Sequence, residues 1–359
     1  MSIVYWAVFA ATVIFGGMAD AFPKTRIRKK GNAVTRPNPV SVLLLALILI
    51  LVSGFRYQVG TDFMSYYLWE VEDWNEILGS MVSFQNGGFE LLARLCRLVF
   101  DHNQTLIFVS AFITIGLYVL TICRKSPSFL LSMLFYLFLG QWQGGFNGVR
   151  QYLAAAILFA GHRLILEKKL WQYTLVVIAA TMLHFSAAVM IIPYFLLNRK
   201  ADVTQLVLLA IGAIVIRFSY DFIFSVIGSI KDKTMDLDRV YLSASVNIFR
   251  ILVAFVPVIL YLILCRKDNL GRERNFYINV LFFHAFSMLA GMGSAYFGRI
   301  GIYTGAAVTV GYVHLFQLIE DERSRNITVY AVLVGLFFYW IYSIYAGGIG
   351  NFQWIFNNL

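Results

Sequence analysis

Five arginines stand where apolar stretches of this sequence begin or end: Arg56, Arg150, Arg239, Arg250 and Arg299. A guanidinium offers five donors in a planar fork suited to bidentate binding of phosphate. Several of them gathered at one edge of an apolar bundle would grip an anionic lipid headgroup, such as a polyprenyl diphosphate, and steady it as a leaving group. Taken singly, each could instead pair with the acids of 62–76 or with phospholipid headgroups. Three lie in stretches that carry further polar groups. GFRYQVGTDFMSYY (54–67) sets Arg56 and Asp62 in a turn allowed by Gly54 and Gly60, with Tyr57, Tyr66 and Tyr67 around them. Those tyrosines could stack on sugar rings or belong to an interfacial aromatic belt. In GGFNGVRQYLAAAIL (144–158), Asn147, Arg150 and Gln151 fall at i, i+3 and i+4, on one helical face. They could form a ligand site or cap a helix end. AYFGRIGIYTG (295–305) opens a further apolar run at Arg299, beside Tyr296 and Tyr303. MLHFSAAVMIIP (182–193) supplies His184, whose imidazole suits proton transfer near neutral pH. A lone histidine at a helix end also serves as an ordinary structural group, and Asp62 is the other candidate base.

The elements that must position these residues are apolar helices. Of 359 residues, 60% are hydrophobic and 13% are charged, about half the charge of a soluble domain; mean hydropathy is +0.73. Spans are expected at 3–19, 39–55, 104–123, 128–143, 149–166, 171–184, 186–198, 203–219, 246–265, 276–292, 300–318 and 327–345. The fold class is therefore all-α: a polytopic transmembrane bundle of about 11–13 spans in a single domain, 1–359. Segments 171–184 and 186–198 are short for two spans. A short hairpin turning at His184 is preferred over one long tilted helix, because Arg199 and Lys200 then return to the side of the earlier basic clusters. The run 89–100 interleaves apolar and basic positions and reads as an interfacial amphipathic helix. The first apolar run lacks a basic leader and a small-residue cleavage site, so it is expected to be retained.

Charge counting sets the orientation. Lys24, Arg26, Arg28, Lys29, Lys30 and Arg36 face a single acid, Asp20, around the first loop, which is expected to be cytoplasmic. Residues 56–90 reverse the balance, with Asp62, Glu70, Glu72, Asp73, Glu76 and Glu90 against Arg56. Segments 56–103 and 220–245 are accordingly the expected external pieces. The pairs at 124–125, 168–169, 199–200 and 266–267 all fall on the cytoplasmic side of this path. The net charge of +10 is thus explained by topology, and no nucleic-acid partner is implied. The three cysteines, Cys96, Cys123 and Cys265, are far apart and have no metal-ligand spacing.

Walker, Rossmann, HExxH and GxSxG patterns are absent, as is a DxD pair for a metal-bound nucleotide sugar. No metal site and no cofactor are expected. In its stretches RYQVGTDFMSYY (56–67), NGVRQYLAAAI (147–157), LHFSA (183–187) and FGRIGIY (297–303), in that order, the chain resembles the EpsG-like, Wzy-type polysaccharide polymerases of bacteria. Phe63 departs from the tyrosine that often follows Gly-Thr-Asp in that family.

The resemblance implies a GT-C-like bundle in the bacterial cytoplasmic membrane with its active site facing outside. It implies an inverting glycosyltransferase that joins undecaprenyl-diphosphate-linked oligosaccharides into capsule, exopolysaccharide or O-antigen. A flippase and a chain-length regulator would be its partners, alongside membrane lipids. In this reading Arg56, Arg150 and Arg299 hold the diphosphate, Asp62 or His184 is the base, and Asn147, Gln151 and Tyr66 contact sugar or phosphate. The competing readings are a lipid-linked oligosaccharide flippase, a membrane acyltransferase and an O-antigen-ligase-like enzyme. A flippase should present charge at both faces and show paired halves, whereas these arginines gather on one side and no repeat is visible.

Overall fold

The computed structural model describes all residues except 28–32, 84–85, 221, 223–245, 265–269, 294–297 and 359. Arg239, Arg266, Lys267, Cys265, Tyr296 and nearly all of the expected external segment 220–245 therefore lie outside the described residues. Among the rest, helices dominate. In chain order they are α1 (Ile3–Ala21), α2 (Pro39–Gly54), α3 (Phe63–Tyr67), α4 (Trp74–Val82), α5 (Gly87–Val99), α6 (Asn103–Lys125), α7 (Phe129–Phe138), α8 (Gln141–Gly144), α9 (Val149–Gly161), α10 (Arg163–Leu166) and α11 (Leu170–Leu183). After a 3-10 segment (Phe185–Ile191) come α12 (Ile192–Leu196), α13 (Val203–Phe218), α14 (Ile248–Leu264), α15 (Arg272–Ala290), α16 (Ile300–Phe316) and α17 (Glu322–Ala346). Every expected span coincides with a helix or a broken helix.

The all-α expectation needs one amendment. Strands β1 (Lys24–Ile27) and β2 (Ala33–Arg36) pair antiparallel, Lys24 opposite Arg36, within the first basic loop. Thr25, Ile27, Val34 and Thr35 are β-branched, and that composition favours extended backbone where no apolar helical period competes.

Local sequence sets where helices start and break. Asn38 accepts the Val40 and Ser41 amide protons at 3.0 and 3.4 Å, and Pro39 occupies the first position of α2. Gly140, at φ +76°, separates α7 from α8, so the expected run 128–143 is a helix with a kinked end. α1, α6 and α17 are long and apolar enough to cross a bilayer alone; α2, α7, α11, α13, α14 and α16 are shorter apolar helices. Rows such as Leu43, Leu47 and Leu51 on α2, or Ile259, Leu262 and Ile263 on α14, point outward and are exposed. An outer surface of that kind fits a multi-pass membrane bundle.

Helix ends meet like with like. At the end expected to be cytoplasmic, Lys125 reaches Glu273 at 3.8 Å, the Asn279 amide donates to the Arg199 carbonyl at 2.7 Å, and the Asn275 side chain accepts the Ala201 N–H at 2.8 Å. At the other end, Ser2 donates to Gly350 at 2.8 Å and the Gln104 amide donates to the Gly54 and Arg56 carbonyls at 2.6 and 2.9 Å. The alternating path read from charge is therefore consistent with the packing. The short hairpin is present as well: the Tyr173 hydroxyl donates to the Met190 carbonyl at 2.8 Å and Tyr173 stacks on Tyr194, so the chain doubles back after His184.

Asp20, at the end of α1, links two helices. Its carboxylate accepts the Phe129 and Leu130 amide protons, both at 3.0 Å, and the Ser128 hydroxyl at 2.8 Å. It thereby satisfies the first amides of α7 from a different helix. Replacing Asp20 by Ala should destabilise the protein by about 1–3 kcal/mol, read as a lower Tm in detergent. An unchanged Tm would rule out this cross-helix cap.

Candidate functional site

The site is built outward from the N-terminal turn of α9. Asn147, just before that helix, accepts the Thr61 N–H through Oδ1 at 2.8 Å and so fixes the turn that precedes α3. Gly60 adopts φ +107°, and a Cβ there would lie 2.6 Å from both Asn147 Oδ1 and the Phe146 carbonyl oxygen. Only glycine fits. Asp62 sits on the exposed lip of this turn, where the Thr61 hydroxyl donates to it at 3.1 Å.

Arg56 occupies a different place from the other predicted arginines. It is 2% exposed, its Nε donates to the Val59 carbonyl at 3.3 Å, and its Nη atoms donate to those of Ser53 and Phe146. Phe146 and Phe63 lie beneath the guanidinium, 4.9 and 5.9 Å from ring centre to Cζ. Arg56 thus turns inward, into the packing of the bundle. Its backbone pairs with Trp354 near the C-terminus.

Arg150, on the first turn of α9, faces an aromatic and acidic group from the loop after α3 and from α5. Its Cζ stands 5.0 Å from the Trp69 ring centre and 5.9 Å from that of Phe89, while its Nε is buried without a hydrogen-bond partner. Trp69 Nε1–H donates to Glu90 Oε2 at 2.9 Å, and Tyr66 stacks parallel on the Trp69 ring. Glu90 is 6% exposed. Burial raises its pKa above the ordinary carboxylate range, the Trp69 N–H lowers it, Glu72 raises it and Arg150 lowers it. Beside Trp69 opens a cleft of about 520 Å³, lined also by Glu70, Arg94, Arg97, Asp101 and Asn103.

The neighbouring residue on α9, Gln151, reaches the other way. Its Nε2 donates to the Arg299 carbonyl at 3.2 Å, and it lies against the Tyr303 hydroxyl. That hydroxyl is 3.0 Å from His184 Nδ1 and 2.7 Å from Ser186 Oγ, and Ser186 Oγ is 2.9 Å from the same ring nitrogen. The Asn147–Arg150–Gln151 face therefore joins two polar groups, one centred on Trp69 and Glu90, the other on His184 and Tyr303. α5 links them again: a Cβ on Gly88 would touch Met182, two residues before His184, at 3.0 Å. Arg250 is exposed on α14, hydrogen-bonded to Tyr339 and within electrostatic reach of Tyr152 on α9.

A sequence model of the EpsG family matches residues 40–356. The chain belongs to the EpsG family. This is the family of Wzy-type polysaccharide polymerases, and membership points to a membrane protein of polysaccharide biosynthesis with polymerase-type glycosyltransferase activity. No curated protein and no solved structure matches the chain.

For this EpsG-family protein the sequence reading passed over Trp69, Ser186 and the buried role of Glu90. A signal for Glu90 existed: it falls on the helical stripe Phe89, Ala93 and Cys96 that α5 buries, and an acid on a buried stripe needs a partner. Trp69 stands outside the four stretches that the sequence singles out.

The raised pKa of Glu90 has a measurable sign. The native state holds this proton more tightly than the unfolded chain, so the stability it contributes is present below the ordinary carboxylate pKa and is lost as pH rises through the raised value. Glu90→Gln stays neutral and can still accept from Trp69. It should gain on wild type over that window, read as a Tm difference that widens from about pH 4 upward. A difference that stays flat with pH would contradict burial as the dominant influence on Glu90.

Proposed function

We propose that this protein polymerises oligosaccharide repeat units carried on undecaprenyl diphosphate, at the extracytoplasmic face of the bacterial cytoplasmic membrane. The observation that carries the proposal is the α9 N-terminal turn, which sets Arg150 toward Trp69 and Glu90 and ties Gln151 to Arg299 and Tyr303. Arg150 at this helix end, with the Arg299 charge acting on Tyr303 and a histidine hydrogen-bonded to that tyrosine, suits an activated donor whose leaving group is doubly phosphorylated. A GT-C-like bundle, with its site at one end of many spans, is consistent with that use.

In the proposed reaction an acceptor sugar hydroxyl attacks the anomeric carbon of the donor. The bond from that carbon to the diphosphate oxygen breaks, and the new glycosidic bond forms. Arg150 and Arg299 stabilise the charge that develops on the diphosphate. His184 takes the hydroxyl proton: with Nδ1–H donating to Ser186 or Tyr303, Nε2 is the basic nitrogen. His184 is preferred to Asp62 because it shares partners with Gln151 and Arg299, whereas Asp62 sits on an exposed lip. Glu90 orients Arg150, and the cleft beside Trp69 is the proposed path of the acceptor sugars. Attack on the face opposite the leaving group inverts the anomeric centre. The diphosphate bond is already activated, so neither a nucleotide nor a metal ion is required, and arginine takes the electrostatic role. A flippase that delivers donors and a regulator of chain length are the partners such a cycle calls for.

The test supplies purified protein with a synthetic undecaprenyl-diphosphate repeat unit. A ladder of lengthened products that persists in EDTA is expected. Scrambling of the lipid in liposomes without any ladder would instead mean a flippase, and a single transfer without elongation would mean a ligase-like enzyme. Arg150→Ala and Arg299→Ala should each lower the elongation rate by about 10²-fold or more, with expression and Tm close to wild type. Normal elongation by either variant would remove that arginine from the diphosphate site. His184→Ala should lose activity to a similar degree while Asp62→Asn retains it; the reverse pattern would move the base to Asp62.

A further inference from the structure

Arg56 leaves a buried charge to be explained. Three of its five N–H donors are taken by carbonyls, which leaves two, and among the described residues no carboxylate forms an ion pair with it. The guanidinium borders a cavity of about 20 Å³ between α2, α6, α8 and α9, whose lining also includes Ser53, Ser110, Thr114, Gln141 and Tyr152. Ser53 is 3% exposed and Ser110 1%. Both of their hydroxyls, and the Gln141 Oε1, are buried without a hydrogen-bond partner. Unmet buried hydroxyls are uncommon in folded proteins, and here two of them belong to residues that line the same cavity as the buried Arg56.

The volume exceeds the one-probe minimum that an enclosed site needs for a single water. Water would satisfy the hydroxyls but would leave the positive charge uncompensated. Backbone carbonyls and the Phe63 and Phe146 rings offset part of that charge, since each presents only a partial negative charge. A small anion meets both needs: it accepts from two hydroxyls and from the spare guanidinium protons, and it neutralises the cation in a region of low dielectric.

We propose that this cavity is a structural binding site for a monovalent anion of chloride size, held by Arg56, Ser53 and Ser110. Occupied, it neutralises the residue that joins the end of α2 to the turn at 55–62 and to Phe146. The site is separate from the proposed glycosyl-transfer chemistry and does not depend on it.

The full-length protein in detergent, prepared in sodium gluconate, is titrated with sodium chloride at constant ionic strength and melted by tryptophan fluorescence. A ligand bound only by the native state raises Tm in a saturable way, by about 2–4 °C at tenfold excess over Kd. Sodium bromide should reproduce the rise, and bromide should give an anomalous diffraction peak at hydrogen-bonding distance from Arg56. Arg56→Met is a severe change that could prevent folding, so Ser110→Ala carries the test of location: it should fold and lose most of the halide-dependent rise. A wild-type Tm indifferent to chloride, with no bromide peak, would mean that the cavity holds water alone and would overturn the proposal. A Ser110→Ala protein that titrates like wild type, with bromide elsewhere, would overturn it equally.

Discussion

A cation withdrawn from water must be surrounded by negative potential, and the way Arg56 meets that demand organises one end of this bundle. Its partners are carbonyls of Ser53, at the close of α2, of Val59, in the following turn, and of Phe146, ahead of α9. Three chain segments are held at one point, and the Gln104 amide adds a fourth by donating to the carbonyls of Gly54 and Arg56. Once the turn is fixed there, Gly60 lies so close to Asn147 that no side chain can come between them. Asn147 is then placed to start α9 with Arg150 and Gln151 facing their separate neighbours.

That arrangement divides labour along a single helical turn. Arg150 keeps company with aromatic faces and a protected acid, so its charge is directed without being bound in a tight ion pair. Gln151, one residue on, is occupied in registering α9 against the start of α16 through the Arg299 carbonyl. Tyr303 stands one turn beyond Arg299 and bridges to His184 and Ser186. Helices far apart in sequence are thus coupled by short polar contacts rather than by apolar packing alone. In a hydrocarbon setting, where water offers no competing partners, such contacts carry more specificity than they would at an aqueous surface.

The sequence made the membrane-type fold legible because its information is periodic and long. Apolar runs, basic loops and the alternation between them survive any local irregularity, so the helices and the two-sided path could be read directly. Breaks were harder. Gly140 and the 3-10 segment after His184 interrupt helices where the apolar pattern continues unbroken. Among the candidate site residues, Asn147, Arg150 and Gln151 were found through helical spacing, and His184 and Arg299 through their place at span ends. Sequence could not tell that Arg56 faces inward, because an arginine after a span reads the same whether it turns to water or to carbonyls. Nor could it bring Trp69 and Glu90 to Arg150, since that meeting depends on how the loop and α5 fold back over α9.

The brevity of α11 has its own consequence. Fourteen residues rise about 21 Å, well short of a hydrocarbon layer about 30 Å deep. Lys168 and Lys169 stand immediately before its first turn, and their charges hold that end in the headgroup region. On that placement the opposite end, with the half-buried His184, lies several ångströms short of the far surface. In the proposed reaction, a donor held at that depth would be kept from hydrolysis with no moving cover required.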